Sequence, residues 1–277
     1  MKARTAILTT IVCAHVFLVQ SANATFHFMQ IQQVIGGVDG DTSAQAVQLR
    51  MLSVGQNLLN GQARLVAYDA TGSNPVVITT FPPPNPASGS CREILIASDG
   101  FAAVTTPSAD SAARDYGMAS LIPASYLPAG SLTFETSTGS IVYWRISWGG
   151  GAYSGATTGS ITNDGDGQFG PPFGGALPST STDALEYVGN CPPGTSSSNN
   201  VDYAVASGGS DFTNNAGSTF SVTGVPEEVP AVTGWGLFIT ALCILTAATI
   251  VLSRRGAPAG FRHGSAALRG RSAALRG

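Results

Sequence analysis

The chain has 277 residues, with 13 Lys and Arg against 16 Asp and Glu, for a formal charge of −3. The balance is uneven. Two basic residues precede Thr5, six follow Ser253, and residues 25–228 hold five Arg, no Lys and all 16 acids, a local charge of −11. A segment this acidic argues against nucleic acid and anionic lipid as partners, and its single histidine, His27, argues against His-based catalysis and transition-metal sites.

Chain order begins with a targeting pattern. Lys2 and Arg4 form a basic start, residues 5–19 are apolar, and Ala22-Asn23-Ala24 is an A-x-A cleavage site. Residues 1–24 are therefore read as a signal peptide, with the mature chain starting at Thr25. The alternative is an uncleaved anchor, but the apolar run is short for a bilayer span of about 20 residues.

Residues 25–224 are rich in Gly, Ser, Thr, Ala and Val. This composition favours strands and turns over helices. Alternating or β-branched runs predict strands at 26–35, 45–52, 63–68, 76–81, 93–98, 132–136, 141–148, 201–206 and 219–225. Nine short strands with turn signals between them predict an all-β domain, a β-sandwich. In the strand at 140–148, Val142, Trp144, Ile146 and Trp148 share one face, read as core. Tyr143, Arg145 and Ser147 share the other. A helical turn or two is expected only around 111–118. Residues 149–182 and 189–200 are expected to be long irregular loops. Tyr116, Tyr126 and Tyr153 lie near loops, either as loop anchors or as an aromatic binding surface.

The candidate chemistry is sparse. Cys13 falls in the signal peptide and Cys243 in the C-terminal apolar run, which leaves Cys91 and Cys191. In an exported domain their default state is a disulfide; two free buried thiols are the alternative. His27 lies three residues from the mature start, where a mobile terminus would orient a general base poorly. No residue is assigned a catalytic role. Paired carboxylates of a surface hydrolase stay open, without a pair that the sequence selects. Calcium is the possible cofactor: Asn163, Asp164 and Asp166 place oxygens at close intervals, and residues 38–42 do so on a smaller scale. Neither segment completes a calcium-loop pattern, and a polar turn is the plainer reading.

The C-terminal region combines a short motif, an apolar stretch at 237–253, or from near 232, and Arg254-Arg255. The pattern predicts a single transmembrane helix, with an exported N-terminal side and a basic cytoplasmic tail at 254–277. Residues 225–236 are the linker and motif. Val229, Pro230, Thr233, Trp235 and Gly236, with the Arg254-Arg255 pair, resemble the IPTL-CTERM class of bacterial sorting signals, related in plan to PEP-CTERM. The resemblance implies an exosortase-like membrane transpeptidase as partner. That enzyme would cut near the motif and pass the ectodomain to the cell surface or its polymer matrix.

A second resemblance covers most of the ectodomain. Gln48-Leu49-Arg50-Met51, the segment 93–98, and Leu127-Pro128-Ala129-Gly130 before the strand at 141–146 resemble bacterial lamin-tail-like domains. These imply an immunoglobulin-like sandwich and a non-catalytic module; the usual acidic residue of the first strand is Gln48 here. The expected function is a non-enzymatic cell-surface or matrix protein with a structural or adhesive role, in contact with envelope or matrix polymer. The alternatives are a calcium-dependent carbohydrate-binding module and a surface hydrolase.

Overall fold

The structure is a computed structural model that describes residues 25–191, 197–225, 239 and 241–246. It divides into two units, Met1–Pro226 and Glu227–Gly277. In the second, residues 239 and 241–246 are helical. Among the described residues no helix is long and apolar enough to cross a membrane. Most of the predicted span, the signal peptide at 1–24, and Val229, Pro230, Thr233, Trp235, Gly236, Arg254 and Arg255 lie outside the described residues.

The first unit is all-β. Its strands are β1 (Met29–Ile35), β2 (Ala46–Met51), β3 (Ala63–Tyr68), β4 (Val76–Thr79), β5 (Glu93–Ala97), β6 (Thr105–Thr106) and β7 (Tyr116–Gly117). They continue with β8 (Gly130–Thr136), β9 (Val142–Trp148), β10 (Leu185–Tyr187), β11 (Tyr203–Val205), β12 (Asp211–Thr213) and β13 (Thr219–Val222). One α-helical turn, α1, spans Asn199–Asp202. Each of the nine predicted runs contains or overlaps a strand. β6, β7, β10 and β12 are additional, and each has only two or three residues.

A six-stranded sheet in the order β11-β10-β1-β2-β5-β7 faces a four-stranded sheet, β4-β3-β8-β9. Alternation explains their contact. Ile31, Val47, Leu49 and Ile96 from the larger sheet share one core with Leu65, Leu132, Phe134, Trp144, Ile146 and Trp148 from the smaller. A bulge between Ile31 and Gln33 shifts the β1 alternation by one residue, so Val34 faces the same core as Met29 and Ile31. Trp144 Nε1 donates to the Tyr203 hydroxyl at 2.8 Å, and that hydroxyl donates to Ile31 O at 2.5 Å. The polar tips of two buried aromatics are thereby satisfied inside an apolar layer.

The larger sheet is covered on its other face too. A three-stranded sheet, β12-β13-β6, packs there through Phe212, Phe220 and Val222 against Ile35, Ala46, Leu95, Ala97 and Phe101. This third layer is absent from the expected two-sheet plan. It buries the outer-facing Gln33 and Ile35 of β1, a strand whose residues are all buried. Gln33 Nε2 donates to Gln48 Oε1 at 3.2 Å and to Asp211 O at 2.6 Å, while Thr213 N donates to Gln48 Oε1 at 2.5 Å. Gln48 thus joins the central sheet to the third one.

Two local expectations are corrected. Residues 111–118 form no helix. Asp110 Oδ1 accepts the amides of Ala112 and Ala113, which closes a turn, and Tyr116-Gly117 then pairs in parallel with Ile96-Ala97. Tyr143, Arg145 and Ser147, expected on an outer face, are buried as well, because residues 149–182 fold back over that side of β9. The loop supplies the missing edge bonds: Ser160 N to Val142 O at 2.7 Å and Phe173 N to Ser147 O at 2.8 Å. Arg145 Nε donates to Thr158 O at 3.0 Å. Gly149, at φ 98°, starts the reversal at a point where a side chain would run into Ala129.

Candidate functional site

The pair Cys91 and Cys191 is bonded, with Cα atoms 5.8 Å apart across 100 residues of sequence. Cys91 lies just before β5 and Cys191 follows β10, so the bond joins the approaches to two strands of the central sheet. A bridge over so long a loop belongs to the class with the larger stabilisation, about 4–5 kcal/mol in the chain-entropy account.

The possible calcium ligands serve the fold. Asp164 is 2 % exposed. Its Oδ2 accepts Ser197 N at 2.7 Å and Ser197 Oγ at 2.6 Å; its Oδ1 accepts the amides of Asp166 and Gly167, both at 3.2 Å. Burial, with the Asp166 carboxyl alongside, raises the Asp164 pKa above the ordinary carboxylate range. Asp166 Oδ1 accepts Gln168 N at 2.9 Å. Asn163 Nδ2 donates to His27 O at 2.5 Å and Met29 O at 2.8 Å, which clamps the start of β1. Asp41, in the smaller candidate segment, accepts Ser43 N at 2.8 Å. Among the described residues no three His, Cys, Asp or Glu side chains converge as a metal site would require.

The three loop tyrosines are anchors. Tyr116 donates to Pro84 O at 3.0 Å and Tyr126 to Asn74 O at 2.7 Å. The Tyr153 hydroxyl sits 2.8 Å from Ala156 O and 3.0 Å from Ser131 Oγ.

The N-terminal segment departs most from expectation. It is bound along its length, so His27 is not on a mobile end. Thr25 N donates to Gly55 O at 2.6 Å, Leu58 N to Thr25 O at 3.2 Å, and Leu52 N to Phe28 O at 2.9 Å. Gln56 Oε1 accepts both Thr25 Oγ1 at 2.8 Å and Phe28 N at 2.9 Å. Rings continue inward from this segment. His27 lies 4.8 Å from Phe28 and 5.7 Å from Tyr143 between centroids; Phe26 stands edge-on to Tyr143 at 5.5 Å; Tyr143 lies 6.3 Å from Phe134 in the core. Burial lowers the His27 pKa below its usual value. The sequence signal for this cluster is Phe26-His27-Phe28, one residue beyond the A-x-A site, which gains meaning only once Tyr143 is placed beside it.

Asp115 provides a pH handle. Its Oδ2 accepts Leu95 N at 2.8 Å and Asn215 N at 2.7 Å, and burial raises its pKa despite both bonds. A raised folded value means a stabilising contribution that is full below the unfolded value, about 3.9. That contribution is lost as pH rises through the folded value. Asp115→Asn keeps one oxygen for both amides and removes the titration. The variant's Tm is expected to gain on the wild type as pH rises above about 4. Thermal melts from acid to neutral pH that run parallel for the two proteins would refute this.

No protein family, curated protein or solved structure matches the chain.

Proposed function

We propose that the chain is a non-enzymatic exported protein of the cell surface or its extracellular matrix, with a structural or adhesive role, sorted by a C-terminal exosortase-type signal. The observation that carries export is the Cys91–Cys191 bond inside an acidic β-domain, because such bonds persist in oxidising compartments. The orientation follows from the basic flanks, two Lys/Arg before the domain and six after the apolar stretch. A non-catalytic role is supported by the way buried and half-buried carboxylates are used: Glu135, Asp164 and Asp115 each accept bonds from neighbouring donors of the fold.

The finer fold reading is an immunoglobulin-type sandwich of lamin-tail-like kind. Its support is positional. Gln48–Met51 falls in β2, residues 93–97 form β5, Leu127-Pro128-Ala129 leads into β8, and residues 142–146 lie in β9. The implied partners are an exosortase-like transpeptidase at the motif and an envelope or matrix polymer at the domain.

Sorting is tested by Pro230→Ala. The variant is expected to accumulate uncut in the cytoplasmic membrane, and fractionation that finds a normal surface population would remove the sorting reading. The domain is proposed to need no metal, since four donors already occupy the Asp164 oxygens. Melts in millimolar calcium and in chelator are expected to coincide. A binding ion would raise stability by about 2.7 kcal/mol at 100 times its dissociation constant, and a rise abolished by Asp164→Ala would put a calcium-dependent module first.

A further inference from the structure

An open cleft of about 200 Å³ lies beside the N-terminal segment, lined by Thr25, Phe26, His27, Leu58 and Gln62. Its chemistry is mixed. Phe26 is half-buried, and Leu58 is 39 % and the adjoining Phe28 37 % exposed, so apolar surface faces solvent here. The Gln62 amide is exposed, and neither it nor the imidazole of His27 is hydrogen-bonded to a described residue. No Asp, Glu, Lys or Arg lines the cleft. The walls are held in place. The Gly55–Leu58 turn binds Thr25 and Phe28, Asn163 holds the His27 carbonyl, and Tyr143 carries the ring contacts into the core. A site whose walls are already ordered loses little freedom on binding.

These features restrict the ligand. A cation finds no carboxylate; an anion meets no Lys or Arg, and the Thr25 amino group that cleavage would free is already bonded to Gly55 O inside a segment of charge −11. An acyl chain would cover the amide and the imidazole without offering a bond, a loss comparable to burying any unpaired polar group. A pyranose ring meets both requirements. Its C–H face packs on aromatic and aliphatic walls, and its hydroxyls both donate and accept, as do an amide and a neutral imidazole. We propose that the cleft binds one neutral pyranose unit of a surface polysaccharide without a metal ion. The surface reading supplies the source of the polymer; the cleft geometry stands apart from it.

The test is calorimetric titration of the full chain in lipid nanodiscs with cellotetraose, mannotetraose, chitotetraose and isomaltotetraose, in chelator. Saturable binding of at least one sugar is expected at up to millimolar concentration. Phe26→Ala is expected to weaken it about tenfold, the scale of one lost aromatic contact, and Gln62→Ala severalfold. Should Phe26→Ala fail to fold, Gln62→Ala and Leu58→Ala on the exposed rim decide the matter. No saturable heat with any of the four sugars, or binding indifferent to all these variants, overturns the proposal. So does a concentration-dependent dimer abolished by Phe28→Ser, which would make the cleft an interface between copies. Sugar binding by a protein that never leaves the membrane would instead defeat the surface reading and leave the site intact.

Discussion

Arg64→Ala is expected to destabilise the domain by about 3–5 kcal/mol, the range for breaking one side of a buried ion pair. Arg64 on β3 stands directly opposite Glu135 on β8. Glu135 is fully buried. Its Oε1 accepts Arg64 Nε at 2.7 Å and lies 2.6 Å from Nη2, while its Oε2 accepts Thr133 Oγ1 at 3.0 Å and the Tyr68 hydroxyl at 3.2 Å. Removing the guanidinium leaves a carboxylate in a low-dielectric layer with only two neutral donors. Removing the charge as well should restore much of the loss, so Arg64→Ala/Glu135→Gln is expected to be more stable than Arg64→Ala alone. Urea unfolding of the three proteins measures both effects. A single-variant loss under about 1 kcal/mol, as for an exposed pair, would show that the buried charge finds other compensation. The ion pairs Arg50–Glu93 and Arg114–Asp99 have more exposed carboxylates and are expected to contribute far less.

Replacing Cys91 and Cys191 by serine is expected to cost about 2–5 kcal/mol. Without the bond, the segment between them, whose ends are 100 positions apart in sequence, gains freedom mainly in the unfolded chain. The same region contains β5 to β10, so both sheets of the main core are affected. The measurement is urea unfolding of the purified protein with and without reductant, with thiol labelling of the unreduced, unfolded chain as control. Labelling at both Cys91 and Cys191 in that control, with Cys13 and Cys243 counted separately, would mean that the bond does not form, and the predicted loss would vanish with it.

The strands were legible wherever burial is one-sided or wholly apolar. Trp144, Ile146 and Trp148 alternate along β9 and lie in the core as expected. The sheet order was not legible, because it depends on pairings such as β1 with β10, far apart in sequence. The third sheet was missed for a related reason. β6 and β12 have two and three residues, too few to show a period. Glutamines disguised the double burial of β1. Met-Gln-Ile-Gln-Gln-Val-Ile looks like a strand with one wet face, yet Gln33 and Gln48 spend their amides on each other and on the third sheet. The predicted helix near 111–118 had acceptable local propensity, and lost to the Asp110 turn and to pairing with β5. At the candidate sites, the cysteine pair was readable from compartment and count. The role of Asp164 was not, since its partner Ser197 lies 33 residues away. The aromatic cleft was hidden because its residues come from positions 25–28, 58, 62 and 143, which no local pattern connects.

The loop that pairs with the outer side of β9 also governs how neighbouring copies can meet. A bare edge strand offers rungs for another chain to add to, the first step toward a fused cross-β ribbon. Here that ladder is already closed by Ser160 and Phe173. The ends of the six-stranded sheet, β11 and β7, have three and two residues, and Pro82, Pro83 and Pro84 follow soon after the β4 edge. Such edges give little purchase for templating. The edges of these two sheets therefore offer few free rungs for one copy to pair with another.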